Sequence, residues 1–170
     1  MRILVAGVGN VLRGDDGFGV EVARLLAERH KHSDDVTLFE AGIAGISLVQ
    51  ELMSGYDVLI VADAMDRGQA PGTVYLIEPD TPDPAEIEPA ELHQSLVDAH
   101  YADPSKALLL AKALKVLPAK VFLVGCQPAC CEEAGSQLSP PVRSAVQIAV
   151  NQIESLIEGL TQTGAAPLQR

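Results

Sequence analysis

Two adjacent carboxylates, Asp15 and Asp16, follow a Gly7-x-Gly9 turn near the start of the chain. A third, Asp63, closes the apolar run DVLIVAD, and His100 stands just before a run of helix formers. Two carboxylates and one imidazole drawn from separate elements are a recognised ligand set for a first-row metal ion. They leave coordination positions open for water or for a ligand brought by a partner. An aspartate inside an apolar run also needs a partner or a metal to offset its burial. The competing reading of Asp15 and Asp16 is structural, because acids in a first helical turn are favoured by its unpaired N–H groups and by the helix dipole. What adds weight to chemistry is company: Asp63 is expected at the same edge of the same sheet.

Gly7 and Gly9 also resemble the opening of a dinucleotide-binding turn, with Glu40 at the end of the second strand where a ribose-binding acid would stand. Against a nucleotide-binding oxidoreductase, Leu12 replaces the third glycine, so a close helix–strand approach is not expected. Asp15 and Asp16 moreover put negative charge where a pyrophosphate would sit. Cys126, Cys130 and Cys131 fall within six positions. Thiolates are soft metal ligands, yet a free cysteine is commonly a small buried hydrophobe, and a structural role is the expectation. These cysteines have no convincing histidine partner and no G-x-S-x-G turn is present, so direct attack by water is favoured over an acyl-enzyme. His30 and His32 lie near the end of the first helix, where imidazole suits the dipole.

The elements that must position these groups follow from the apolar rhythm. Strands are expected over 2–7, 36–40, 57–63, 73–78 and 120–125. Helices are expected over 18–30, about 46–53, 104–116 and 142–160, the third with Pro104 in its first turn and Asp103 as cap. The 73–78 strand follows its predecessor too closely for a crossover helix and is expected antiparallel to it. Residues 79–89 carry Pro79, Pro82, Pro84 and Pro89 among acids and read as a loop or extended arm. The whole is an α/β protein: a three-layer α/β/α sandwich on a five-stranded, mostly parallel sheet with one antiparallel strand. One domain covers 1–160, with a flexible tail over 161–170. In such sheets ligands bind beyond the carboxyl ends of the strands, which points to the segments after Gly7, Glu40, Asp63 and Gly125.

The 170 residues include 12 Lys+Arg against 23 Asp+Glu, a net charge of −11, and no Trp. So acidic a surface repels phosphate backbones and anionic lipid, so neither nucleic acid nor membrane is an expected partner. No stretch approaches a membrane span, and the clustered cysteines fit a reducing compartment, giving a cytoplasmic protein as the expectation.

Taken together, GVGNVLRGDDGFGV, EAGIAG, IVADAM, APGTVYLIE and VGCQPA, in that order from Met1 to about Leu160, resemble the nickel–iron hydrogenase maturation endopeptidases. The resemblance implies an endopeptidase that removes the C-terminal extension of a hydrogenase large-subunit precursor. It also implies that nickel already inserted in the precursor is what the protease recognises. Asp16, Asp63 and a histidine would then hold nickel, with Asp16 or Glu40 as general base. Glu40 stands where the family usually has Asp, and Ala41-Gly42 where a Gly-Gly pair is common. In the family the ligand histidine precedes a helix leading into the strand before VG-x-x-P. His100 has that arrangement and is preferred to His93, which lies beside the proline-rich arm. The alternative use of the same ligands is a nickel metallochaperone for the same partner.

Overall fold

Five strands form one sheet in the order β2-β1-β3-β5-β4. They are β1 (Ile3–Val8), β2 (Val36–Gly42), β3 (Val58–Ala64), β4 (Val74–Ile77) and β5 (Lys120–Cys126). The helices are α1 (Phe18–Glu28), α2 (Gly45–Leu52), α3 (Pro104–Ala113) and α4 (Pro140–Gly164), with short 3-10 turns at Gly14–Gly17 and Pro84–Glu86. The computed structural model describes residues 1–29, 34–43, 45–87, 104–131, 135 and 137–164. His93, His100 and the expected cap Asp103 lie outside the described residues.

The central strands are apolar on both faces because helices cover both. One core layer packs Ile3, Val5, Ile60 and Val124 against α1 and α4; the other packs Leu4, Leu59, Val61 and Leu123 against α2 and α3. β1, β2, β3 and β5 are mutually parallel, and β4 alone is antiparallel. The expected architecture is therefore present. One detail differs: β4 runs opposite to β3 in direction but pairs with β5, which lies between them. The loop after β3 can reach past β5 because backbone bonds clip it there, Gly72 N to Gln127 O and Gln127 N to Thr73 O, each at 2.8 Å. The last helix also runs on to Gly164, four residues into the segment expected as tail. Residues 165–170 lie outside the described residues. No described helix is long and apolar enough to cross a membrane.

The close approach of helix and strand that Leu12 argued against exists, supplied by a different glycine. A Cβ on Gly19 would lie 2.1 Å from Ala62 O and 2.3 Å from Val8 O, so α1 rests its backbone directly on the ends of β1 and β3. Gly9 does the same for the loop after β1. Its φ is +132°, and a Cβ there would lie 1.8 Å from Asp16 O. These two positions press the Asp15–Asp16 turn onto the carboxyl edge of the sheet.

Candidate active site

β1 is flanked by β2 on one side and β3 on the other, so the chain reverses its winding between β1 and β3. The crevice beyond their carboxyl ends is where open α/β sheets bind ligands. Asp63, in β3, is 7% exposed. It pairs in register with Gly125 of β5 and alternates with Ala62, which faces α1, so its side chain falls on the α2/α3 face. Asp16 comes over the crevice from the 3-10 turn and is half-buried, its Oδ2 accepting from Asn10 N at 3.0 Å. The charges of both act on Cys131. Burial, followed by the charges of Asp16, Asp15, Asp63 and Cys130, pushes that thiol up to about 11. Asp16 follows β1 and Asp63 stands near the end of β3, so both lie at the carboxyl edge of the sheet.

Asp15 has a different task from its neighbour. Its carboxylate is 2% exposed and accepts from Ala129 N (2.8 Å), Cys130 N (3.3 Å), Ser139 N (2.6 Å) and Ser139 Oγ (2.9 Å). Burial raises its pKa, but the donors of Ser139, Ala129 and Cys130 outweigh it and hold the group below 3.8. Neither Asp15 nor Asp16 caps α1, whose N-cap Gly17 makes no side-chain capping bond. The capping reading is corrected: Asp15 binds the loop after β5 and the start of α4.

Glu40 does not join the pair. It alternates with Phe39 and Ala41 on β2 and so faces α1, where its exposed side chain meets Arg24 at 3.2 Å. Arg24 also holds Glu21 at 2.9 Å. Among the described residues no group of three His, Cys, Asp or Glu side chains is arranged to hold a metal ion.

Gln127 was passed over in the sequence, although it stands inside VGCQPA. It is 5% exposed. Its Oε1 accepts from Arg67 N (2.7 Å), Gln69 N (3.2 Å) and Tyr75 Oη (3.2 Å), while Nε2 donates to Asp66 (2.9 Å). It fixes the loop after β3 to the loop after β5, the two segments that leave the site beside Asp63. The sequence signal was an amide side chain directly after an apolar strand.

The fold defines a small α/β protein with acidic residues at the topological switch point of its sheet. Comparison with known proteins then assigns it. The family model for hydrogenase maturation proteases matches residues 20–156. The chain is 35% identical over 169 residues to the hydrogenase expression/formation protein HupD of Rhizobium leguminosarum, covering 99% of this chain and 79% of that protein. It is 30% identical over 171 residues to the hydrogenase 2 maturation protease of Escherichia coli, covering 100% of this chain and 97% of the other. Among solved structures, the hydrogenase maturating endopeptidase HybD of E. coli superposes with a TM-score of 0.73 at 31% identity, over 94% of this chain and 93% of that one. A hydrogenase 2 maturation peptidase from a Thaumarchaeota archaeon gives 0.66 at 30%, over 92% and 98%. The chain belongs to the hydrogenase maturation protease family and is a peptide-bond hydrolase.

Proposed function

We propose that the protein removes the C-terminal extension of a nickel-loaded precursor of a nickel–iron hydrogenase large subunit, in the cytoplasm. What supports this is membership of the family, together with Asp16 after β1 and Asp63 near the end of β3 both lying at the carboxyl edge of the sheet. Nickel belongs to the substrate. Asp16, Asp63 and His100 bind it when the precursor docks, leaving the remaining coordination positions to the precursor's own ligands. Binding is thereby conditional on metal insertion, which makes the protease a checkpoint. Docked nickel supplies Lewis acidity near the scissile bond. For the attacking water, Asp16 is the base in this reading, since Glu40 stands on the other face of the sheet and is engaged by Arg24. The free cysteines fit a reducing compartment.

The test is the intact mass of the large-subunit precursor incubated with and without the protein, each with and without nickel. Truncation that needs both is expected. An unchanged mass with altered nickel content would establish a metallochaperone instead. His100→Ala is expected to abolish truncation; loss with His93→Ala and normal cutting with His100→Ala would move the ligand to His93.

A further inference from the structure

Leu12 is 68% exposed, the most exposed of the large apolar side chains among the described residues. Exposure of one leucine is ordinary. What is unusual is how firmly its backbone is held. Leu12 N donates to Asn10 Oδ1 at 2.9 Å, closing an Asx turn. Its carbonyl accepts from Gly135 N at 3.0 Å, and Gly135 O accepts from Gly14 N at 2.7 Å, so the segment is bridged on both sides. Asn10 also donates its backbone N–H to Asp16 Oδ2, so one residue fixes both Asp16 and Leu12.

Val11, next in the chain, lines a mixed groove of about 690 Å³ along α1 and α4, in which Leu25, Leu138 and Val146 alternate with the charged Glu21, Arg24, Glu28 and Arg143. On the other side Gly9 N donates to Gly42 O at 3.0 Å, bringing up the exit of β2, where Ile43 is 53% exposed.

We infer that Leu12 is the apolar anchor by which the precursor docks, with Val11 and its groove and Ile43 as flanking contacts. This rests on the reading of the protein as a large-subunit processing protease. The occupant follows from position: a folded precursor that delivers a metal to Asp16 must close over the residue that shares Asn10 with it. Because the backbone is already fixed, docking orders only the leucine side chain, which lowers the cost of association. Leu12 binds but does not react, so it contributes equally to the ground state and the transition state.

The experiment measures cleavage of nickel-loaded precursor by wild type, Leu12→Ser, Leu12→Met and Ile43→Ser, with a thermal melt of each. Leu12→Ser is expected to raise KM about ten-fold with kcat within about two-fold, as loss of uniform binding requires. Leu12→Met is expected to restore wild-type KM, and Ile43→Ser to raise it less. An unchanged KM in Leu12→Ser would overturn the inference. So would a fall in kcat alone, or a clear drop in melting temperature, which would make Leu12 a structural residue. Failure of the wild type to cut the precursor would instead defeat the underlying protease reading, so the two failures are distinct.

Discussion

Asp15 and Ser139 are joined twice, Oδ1 to the backbone N of Ser139 at 2.6 Å and Oδ2 to its hydroxyl at 2.9 Å. Ser139 O in turn accepts from Arg143 N at 2.8 Å, the first bond of α4. An acid from the first 3-10 turn therefore terminates a helix that begins more than a hundred residues later in the chain. The negative charge lies where the N-terminal end of α4 favours it. With the same carboxylate also gripping Ala129 and Cys130, the turn that carries Asp16 is held against the exit of β5.

Replacing Asp15 with Ala leaves these donors unpaired inside the protein. At the usual cost of buried unsatisfied donors, the variant is expected to lose about 3 kcal/mol of stability. For a chain of this size that is a fall of about 6–12 °C in Tm, read by circular dichroism. A Tm within about 2 °C of wild type would mean that the turn is held by its glycines alone.

The same bonds give a pH signature. Asp15 titrates below 3.8 in the folded protein, so the folded state gives up its proton more readily than the unfolded chain. Its contribution is complete above the ordinary carboxylate pKa and is lost as pH falls through the folded value. Melts of wild type and Asp15→Asn are expected to differ by a constant interval from about pH 7 to about pH 5, and to approach each other only as pH falls below the ordinary carboxylate pKa. An interval unchanged by acid would show that Asp15 is held neutral.

Gly19 makes a sharper steric case. A Cβ there would meet Ala62 O at 2.1 Å and Val8 O at 2.3 Å, both backbone atoms of central strands that cannot give way. Gly19→Ala is expected to cost about 3 kcal/mol and to lower cleavage through displacement of α1 and the acidic turn. Urea unfolding measures the first. Gly135→Ala, where a Cβ meets nothing within 4 Å among the described residues, is the control expected to retain wild-type stability.

Much of this was legible in the residues. Apolar runs such as ILVAGV and VLIVADA read as buried strands, their alternation with helices implied parallel pairing, and the short interval before β4 indicated its direction. Its pairing was not legible, because it depends on Gly72 and Gln127 meeting across two loops. Asp16 and Asp63 could be placed together, since both follow from the rule about carboxyl ends of strands. Asp15 could not be told from a local cap, because its partners are more than a hundred positions away. The close approach at Gly19 was missed for a related reason: the spacing pattern sought the third glycine where Leu12 stands, and the contact is made by the second residue of α1.

Cys131 offers a chemical probe of the acidic pair. Burial and the charges of Asp16, Asp15, Asp63 and Cys130 push its thiol up to about 11, and burial followed by Asp15 does the same for Cys126. Near pH 8 each then carries about a hundred-fold less thiolate than an ordinary cysteine, and alkylation is slowed accordingly. Asp16→Asn or Asp63→Asn is expected to speed the labelling of Cys131, followed by peptide mass spectrometry, and to leave Cys126 unaffected. Equal rates in wild type and both variants would show that the acids do not act on this thiol.

Glu40 and Asp16 separate the two carboxylates offered as general base. Glu40 lies on the α1 face with Arg24 at 3.2 Å, while Asp63 points to the α2/α3 face and Asp16 covers the crevice between β1 and β3. An exposed ion pair of this kind is worth at most about 1 kcal/mol, so Glu40→Gln is expected to fold normally. It should also cut the nickel-loaded precursor at close to the wild-type rate. Asp16→Asn keeps the shape of the side chain and removes its charge, so it is expected to fold with wild-type Tm and to abolish truncation. Single-turnover cleavage with the protease in excess of precursor tests both together. If Glu40→Gln fails to cut and Asp16→Asn cuts normally, the chemistry belongs on the α1 side of the sheet, and Arg24, which holds Glu40, would be the next residue to change.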